Sequence, residues 1–173
     1  MIVVREEHVG ELTEGSTQVF NEDAFRHLLT REAVRAIRYQ DFFTVCLLRP
    51  DSPTADRPLS EEAERAVSQK IPEFIRATDM VGRLSSVIAV ILLHTAGNDA
   101  LRVADRIRAN IEQVAFQESR AGRPQRLTVS VGKVSFPQDG HDDGALLSRA
   151  MAYLEQAVRR GGNQVTDSGG IAD

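Results

Sequence analysis

The sequence has a single cysteine, Cys46, in 173 residues, which excludes an internal disulfide framework and a cysteine metal cluster. Cys46 sits inside an apolar run and reads as an inert core thiol. No apolar stretch approaches the roughly 18 residues of a membrane span. The opening Met1-Ile-Val-Val-Arg-Glu-Glu-His turns acidic after a short apolar run, unlike a secretory leader. Internal repeats and low-complexity tracts are lacking. Charge of one sign does not dominate either: 21 Lys and Arg stand against 25 Asp and Glu, a formal charge of −4. That balance disfavours a general nucleic-acid binder and suits a soluble cytoplasmic protein. What is present, 42% apolar and 27% charged residues, is the composition of one globular domain long enough to bury a core.

The stretch Arg76–Leu93 organises the rest. It reads as a helix end, a strand over Met80–Leu84, a tight turn at Ser85-Ser86 and a strand over Val87–Leu93. The second run is continuously aliphatic, the pattern of a central strand covered on both faces. Upstream, Asn21 is a good N-cap before Glu22 and Asp23. Phe25, Leu28, Leu29, Ala33, Ala36 and Ile37 then recur at helical spacing to about Tyr39. Ile2-Val3-Val4 is a further short strand candidate. A strand over Phe42–Leu48, a polar loop and a helix over about Ser60–Ile75 follow, and Pro72 predicts a kink or stop near Ile71. Asn98 or Asp99 caps a long helix to about Gln117, and residues 118–125 read as a mobile loop. Leu127, Val129 and Val131 alternate along a strand to Phe136. The shift of apolar parity to Val134 and Phe136 after Gly132 predicts a bulge. A helix over about Gly144–Arg160 is stopped by Gly161 and Gly162, and residues 163–165 form a short edge strand. The order α-β-α-β-β-α-β-α predicts an α+β sandwich, a mixed, mainly antiparallel sheet with helices packed against it.

Several segments share their wording with one known family. Arg76-x-x-Asp79 is followed after three residues by Arg83, and Thr17, Asn21 and Phe25 lead into the first helix. Ala104-Asp-Arg-Ile-Arg108, Thr128-Val-Ser-Val-Gly132 and Pro137-Gln-Asp-Gly140 follow in order. The set resembles GGDEF domains, the diguanylate cyclase family, over about residues 17–165. The resemblance implies a ferredoxin-like nucleotidyl-cyclase palm, with residues 1–16 an N-terminal extension and 166–173 a disordered tail. It also implies a degenerate member. Ser85, Ser86, Val87, Ile88 and Ala89 stand where the family has Gly-Gly-Asp/Glu-Glu-Phe. Arg49 occupies the position of a metal-holding aspartate, leaving only Asp51, and Val158 replaces a lysine that contacts the triphosphate. A guanidinium offers Mg²⁺ no oxygen donor and fixes positive charge where the metal would sit. Side chains in place of Gly-Gly hold phosphate away from the backbone. These changes imply a pseudoenzyme with no catalytic residues, no metal and no other cofactor.

The family's Arg-x-x-Asp element is its inhibitory site for the product, cyclic di-GMP, and Arg106 matches the second arginine of that site. An arginine fork can bond guanine O6 and N7 together or pair with phosphate, and an aspartate accepts from guanine N–H groups. Arg76, Asp79 and Arg106 are therefore the expected ligand-binding residues, and a cyclic di-GMP receptor is the expected function. The alternative is a nucleotide-independent interaction or scaffold module in bacterial signalling, contacting a protein partner or a second copy of the chain. Val87 and Ile88 would support it if exposed. At residue level, a local Arg76–Asp79 ion pair and a solvated Arg106 compete with the ligand site. The histidines at 8, 27, 94 and 141 are scattered, and His141-Asp142-Asp143 reads as a helix entry and cap rather than a metal patch.

Overall fold

The computed structural model describes residues 13, 18–52, 59–117 and 124–171. The elements are β1 (Val19–Phe20), α1 (Glu22–Tyr39), β2 (Phe43–Pro50), α2 (Glu61–Lys70), a 3₁₀ turn (Ile71–Phe74), β3 (Met80–Leu84) and β4 (Val87–Leu93). They continue with α3 (Gly97–Gln113), β5 (Ala115–Gln117), β6 (Pro124–Arg126), β7 (Val129–Phe136), α4 (Asp143–Arg159), β8 (Val165–Asp167) and β9 (Gly170–Ile171). One sheet runs β1-β3-β4-β2-β7-β8-β9, and β5 pairs with β6 apart from it. The central pairs are antiparallel; β1 joins β3 and β8 joins β7 in parallel. This is the mixed, mainly antiparallel sheet that the element order predicts.

Both sheet faces are covered, which is why β4 is aliphatic without alternation. On β2, Cys46 and Leu48 face a core shared with Val67 of α2 and Ile107 and Ile111 of α3. Phe43, Val45 and Leu47 face the other core, with Phe25 and Leu29 of α1 and Leu146 and Leu154 of α4. The hairpin turn at Ser85-Ser86 lies at one end of this sandwich. The strand ends at Leu93, Phe43 and Phe136 lie at the other.

Local chemistry sets the helix limits. Asn21 accepts from Ala24 N at 2.9 Å and starts α1, and Gln40 ends it in the left-handed region at φ 53. Ser60 caps α2, and Pro72 confines the continuation past Lys70 to the 3₁₀ turn, as expected. Ile37 departs from expectation: it is 60% exposed, because one residue past Ala36 turns it about 100° out of the core stripe. α3 starts behind Ala96 rather than at Asn98 or Asp99, and it ends at Gln113 rather than Gln117. Beyond it the chain extends into β5, which buries Phe116 against the α2/α3 core.

The bulge expected after Gly132 is absent from β7, which keeps an unbroken register with β2 from Pro50↔Val129 to Phe43↔Phe136. The parity shift has two other causes. Gly132 lies on the α4 side, where a Cβ would collide with Ala150 O and Leu154 N. Lys133 occupies the next slot on the α2/α3 side, where the alternation calls for an apolar residue. It is 4% exposed and pairs with Asp167 Oδ2 at 3.0 Å. The disordered tail expected over 166–173 is likewise corrected. Residues 165–171 form the β8–β9 hairpin, with Val131↔Val165 and Gly132↔Thr166 in register. Residues 172 and 173, the strand candidate at 2–4, residue 17, the loop at 53–58 and residues 118–123 lie outside the described residues. So does the N-terminal extension, apart from Thr13, which bridges Phe20.

Candidate functional site

Arg76, Asp79 and Arg106 meet at one corner of the molecule. Pro72 stops the helical ladder, Ile75 is extended, and the chain then turns so that Asp79 N donates to Arg76 O at 3.0 Å. The Asp79 carboxylate fastens this turn. Oδ2 accepts from Arg76 N at 3.0 Å, and Oδ1 accepts from Leu93 N, at the end of β4, at 3.1 Å. From α3, Arg106 Nη2 donates to Phe74 O at 3.1 Å, placing its guanidinium two residues from Arg76. Both arginines are exposed and Asp79 is half-buried. Asp79 meets the backbone amide of Arg76 rather than its guanidinium, so the local ion pair does not form. Arg108 is engaged with Asp105, Glu112 and Asn163, and Arg102 with Asp99. Arg106 alone of the three reaches back to the turn. A carboxylate has about four acceptor positions, so two amides leave Asp79 with capacity for donors from outside.

The hairpin end is closed by side chains of the protein itself. Ser85 holds φ 51, and its N and Oγ both donate to Glu22 Oε2, at 2.9 and 3.0 Å. Arg26 bonds the other oxygen of Glu22. Arg26 first, and then the Ser85 hydroxyl, hold the Glu22 carboxyl below its ordinary range. Val87 and Ile88 are 3% and 2% exposed, so they present no apolar edge. Arg49 pairs with Glu155 of α4 at 3.2 Å. Asp51 accepts from Thr128 Oγ1 at 2.8 Å, Ser130 Oγ at 2.6 Å and Asn163 N at 2.9 Å, binding the ends of β2, β7 and α4 together. Asp142 caps α4 by accepting from Ala145 N, in line with the cap reading. Among the described residues no three His, Cys, Asp or Glu side chains gather to hold a metal ion.

One polar network escaped sequence reasoning. At the end of the sheet nearest Asp79, Thr44 Oγ1 donates to Thr95 O and meets Ser135 Oγ. Lys133 Nζ reaches toward Gly97 O at 3.5 Å. Asp41 joins Arg35 to His94, and Arg35 also grips Glu32, which is 8% exposed within the α1 core stripe. Its bond from Phe42 N leads the effects that hold the Asp41 carboxyl low, with Arg35 and His94 adding to it. Together with Asp79 these contacts grip the β4–α3 connection from several sides. Lys133, a charge inside an apolar run, was the one signal of this network in the sequence.

Sheet order and helix placement define an α+β nucleotidyl-cyclase palm. Residues 58–164 match the family described as diguanylate cyclase, GGDEF domain, and the chain belongs to that family. Diguanylate cyclase DosC of Escherichia coli K12 is 30% identical over 156 residues, covering 86% of this chain and 33% of DosC. Response regulator PleD of Caulobacter vibrioides is 30% identical over 113 residues, covering 65% of this chain and 25% of PleD. The chain thus spans a third or less of the length of these curated relatives. In fold it is similar to the GGDEF domain of DgcB from Caulobacter crescentus, solved in complex with c-di-GMP, with a TM-score of 0.76, 21% identity and 96% of each chain covered. No helix among the described residues is long and apolar enough to cross a membrane.

Proposed function

We propose that this chain is a catalytically inactive GGDEF domain that binds cyclic di-GMP at Arg76, Asp79 and Arg106. The observation that carries the reading is the convergence of the three residues on one exposed corner, with neither arginine held in a core ion pair. Asp79, oriented by two backbone amides, is a preset acceptor for guanine N–H groups. The guanidinium groups supply forks and flat faces for guanine and phosphate. The DgcB domain, solved with c-di-GMP, shares the fold. Inactivity is supported by the residues at the hairpin end. Joining two GTP molecules requires metal-held phosphates and acid groups near the reacting hydroxyl. Here Arg49 faces Glu155, Asp51 is occupied by internal donors, and Val87 and Ile88 are core.

Calorimetric titration with cyclic di-GMP tests the binding reading, using the wild type beside Arg76→Ala and Arg106→Ala. Binding that both substitutions weaken is expected. No heat and no thermal shift at about 100 μM ligand, where even an affinity of about −5 kcal/mol registers, would leave the scaffold reading in its place. Incubation with Mg²⁺ and GTP should yield no cyclic di-GMP, and its appearance would overturn the inactive assignment.

A further inference from the structure

A cavity of about 300 Å³ opens on the β8 flank of α3, the size at which small-molecule sites begin. Its walls are the first turn of α3, Lys133 of β7, the loop that follows β7 and the β8–β9 turn. Two charged side chains on these walls are almost wholly buried: Lys133 is 4% exposed and Asp139 5%. A buried charge is costly unless it is fully bonded, and neither of these is. The Lys133 ammonium carries three protons. One goes to Asp167 Oδ2 at 3.0 Å and one reaches toward Gly97 O at 3.5 Å, which leaves the third without an acceptor among the described residues. Asp139 Oδ2 accepts from Ser135 N at 2.7 Å. Its Oδ1 has only the exposed Arg149, at 3.9 Å, beyond hydrogen-bond reach.

The other groups around the cavity sort by sign. α3 begins behind Ala96, whose side chain offers no cap, so the amides of its first turn leave the positive end of the helix unanswered. Gly97 and Asn98 bring that end to the cavity wall. Asp167 adds no free acceptor, because its two oxygens are taken by Lys133 Nζ and by Gly169 N at 2.8 Å. The cavity therefore offers donors from Lys133 and α3 and one open ionic acceptor, Asp139 Oδ1. A simple anion is opposed there by Asp139 and Asp167, and a simple cation by Lys133 and the helix end. A small molecule that carries both charges meets both demands.

We propose that this cavity binds a free α-amino acid. Its carboxylate is held by Lys133 Nζ and the amides that open α3, and its ammonium by Asp139 Oδ1. Leu101, which also lines the cavity, and Arg106 are five residues apart, about 140° round the helix. The cavity and the corner at Arg76 therefore lie on different flanks of α3 and are separate sites.

The test screens the full chain by thermal shift against the common L-amino acids at about 10 mM, where millimolar dissociation constants still raise the melting temperature. Calorimetry follows for those that do. At least one amino acid should bind about tenfold or more tightly than two of its own analogues, the scale of one charged hydrogen bond. The analogues are its α-hydroxy acid, which lacks the ammonium, and its methyl ester, which lacks the carboxylate. Asp139→Asn keeps an acceptor for Ser135 N and should abolish the preference over the hydroxy acid. Lys133→Met with Asp167→Asn fills the slot with an apolar side chain and should abolish the preference over the ester. The analogue comparison uses the wild type alone, so it decides the matter even if a variant fails to fold. No shift with any amino acid, an analogue that binds as tightly as its parent, or either preference surviving in its variant would overturn the proposal.

Discussion

Asp79 holds two backbone amides at once, which makes its replacement a poor probe of binding. Asp79→Asn leaves the amides of Arg76 and Leu93 short of a strong acceptor, and we expect a loss of about 1–2 kcal/mol in urea unfolding. Arg76→Ala removes a guanidinium with no protein partner among the described residues and should stay within about 0.5 kcal/mol of the parent. A ligand effect of Arg76→Ala can then be read without a stability correction. Cys46 behaves as the sequence predicts. Complete burial pushes its thiol up to about 12, against a smaller opposing pull from the Lys133 ammonium. The folded protein should not react with a thiol reagent at pH 8, and unfolding should expose one equivalent. Rapid reaction of the folded protein would mean that β2 opens readily.

Among the elements, β8 is fastened by a charge. Lys133 and Asp167 lie side by side on parallel neighbours, with side-chain exposures of 5% and 17%. Asp167→Asn would leave a buried ammonium unpaired, at a cost of about 3 kcal/mol or more. Adding Lys133→Met should return most of that, because the slot belongs to an apolar core. The two denaturation midpoints, compared with wild type, decide the matter; a single variant as stable as wild type would show that the pair contributes nothing. The same residues mark the limit of what the sequence revealed. α1, the stop at Pro72 and the hairpin of β3 and β4 were legible because each is written in contiguous spacing or in a run of aliphatic residues. β7 misled because Lys133 stands in an apolar slot and Gly132 leaves room for the α4 backbone. Together they mimic a bulge. The β8–β9 hairpin was illegible because so short a segment carries no period and owes its place to pairing with a distant strand. At the candidate corner, the grouping of Arg76, Asp79 and Arg106 was legible only through the family resemblance. The clamp from Asp79 to Leu93, 14 residues on, and that from Asp51 to Asn163, 112 residues on, leave no local pattern to read.

For the molecule as a whole, the two ends of α1 should both contribute to the acid response. Glu22 at its start and Asp41 just past its end are both held below the ordinary carboxylate range. A carboxyl lowered in the folded state contributes stability that is complete above its ordinary value. That contribution is lost as the pH falls through the lowered one. Stability should therefore be level near neutrality with respect to these groups and fall once the pH drops below about 4. Glu22→Gln with Asp41→Asn should flatten that acid limb in melting experiments, and an unchanged limb would assign it to other carboxylates.

The sheet's outline has a consequence for crowded solutions. Its interior strands run to eight residues, yet among the described residues β1 and β9, the two outermost, have two each. A long bare margin is a template on which a foreign chain can add itself amide by amide, and such growth leads toward fibres. These two outermost strands offer almost no length for that templating, so an added chain would find little to copy along either of them.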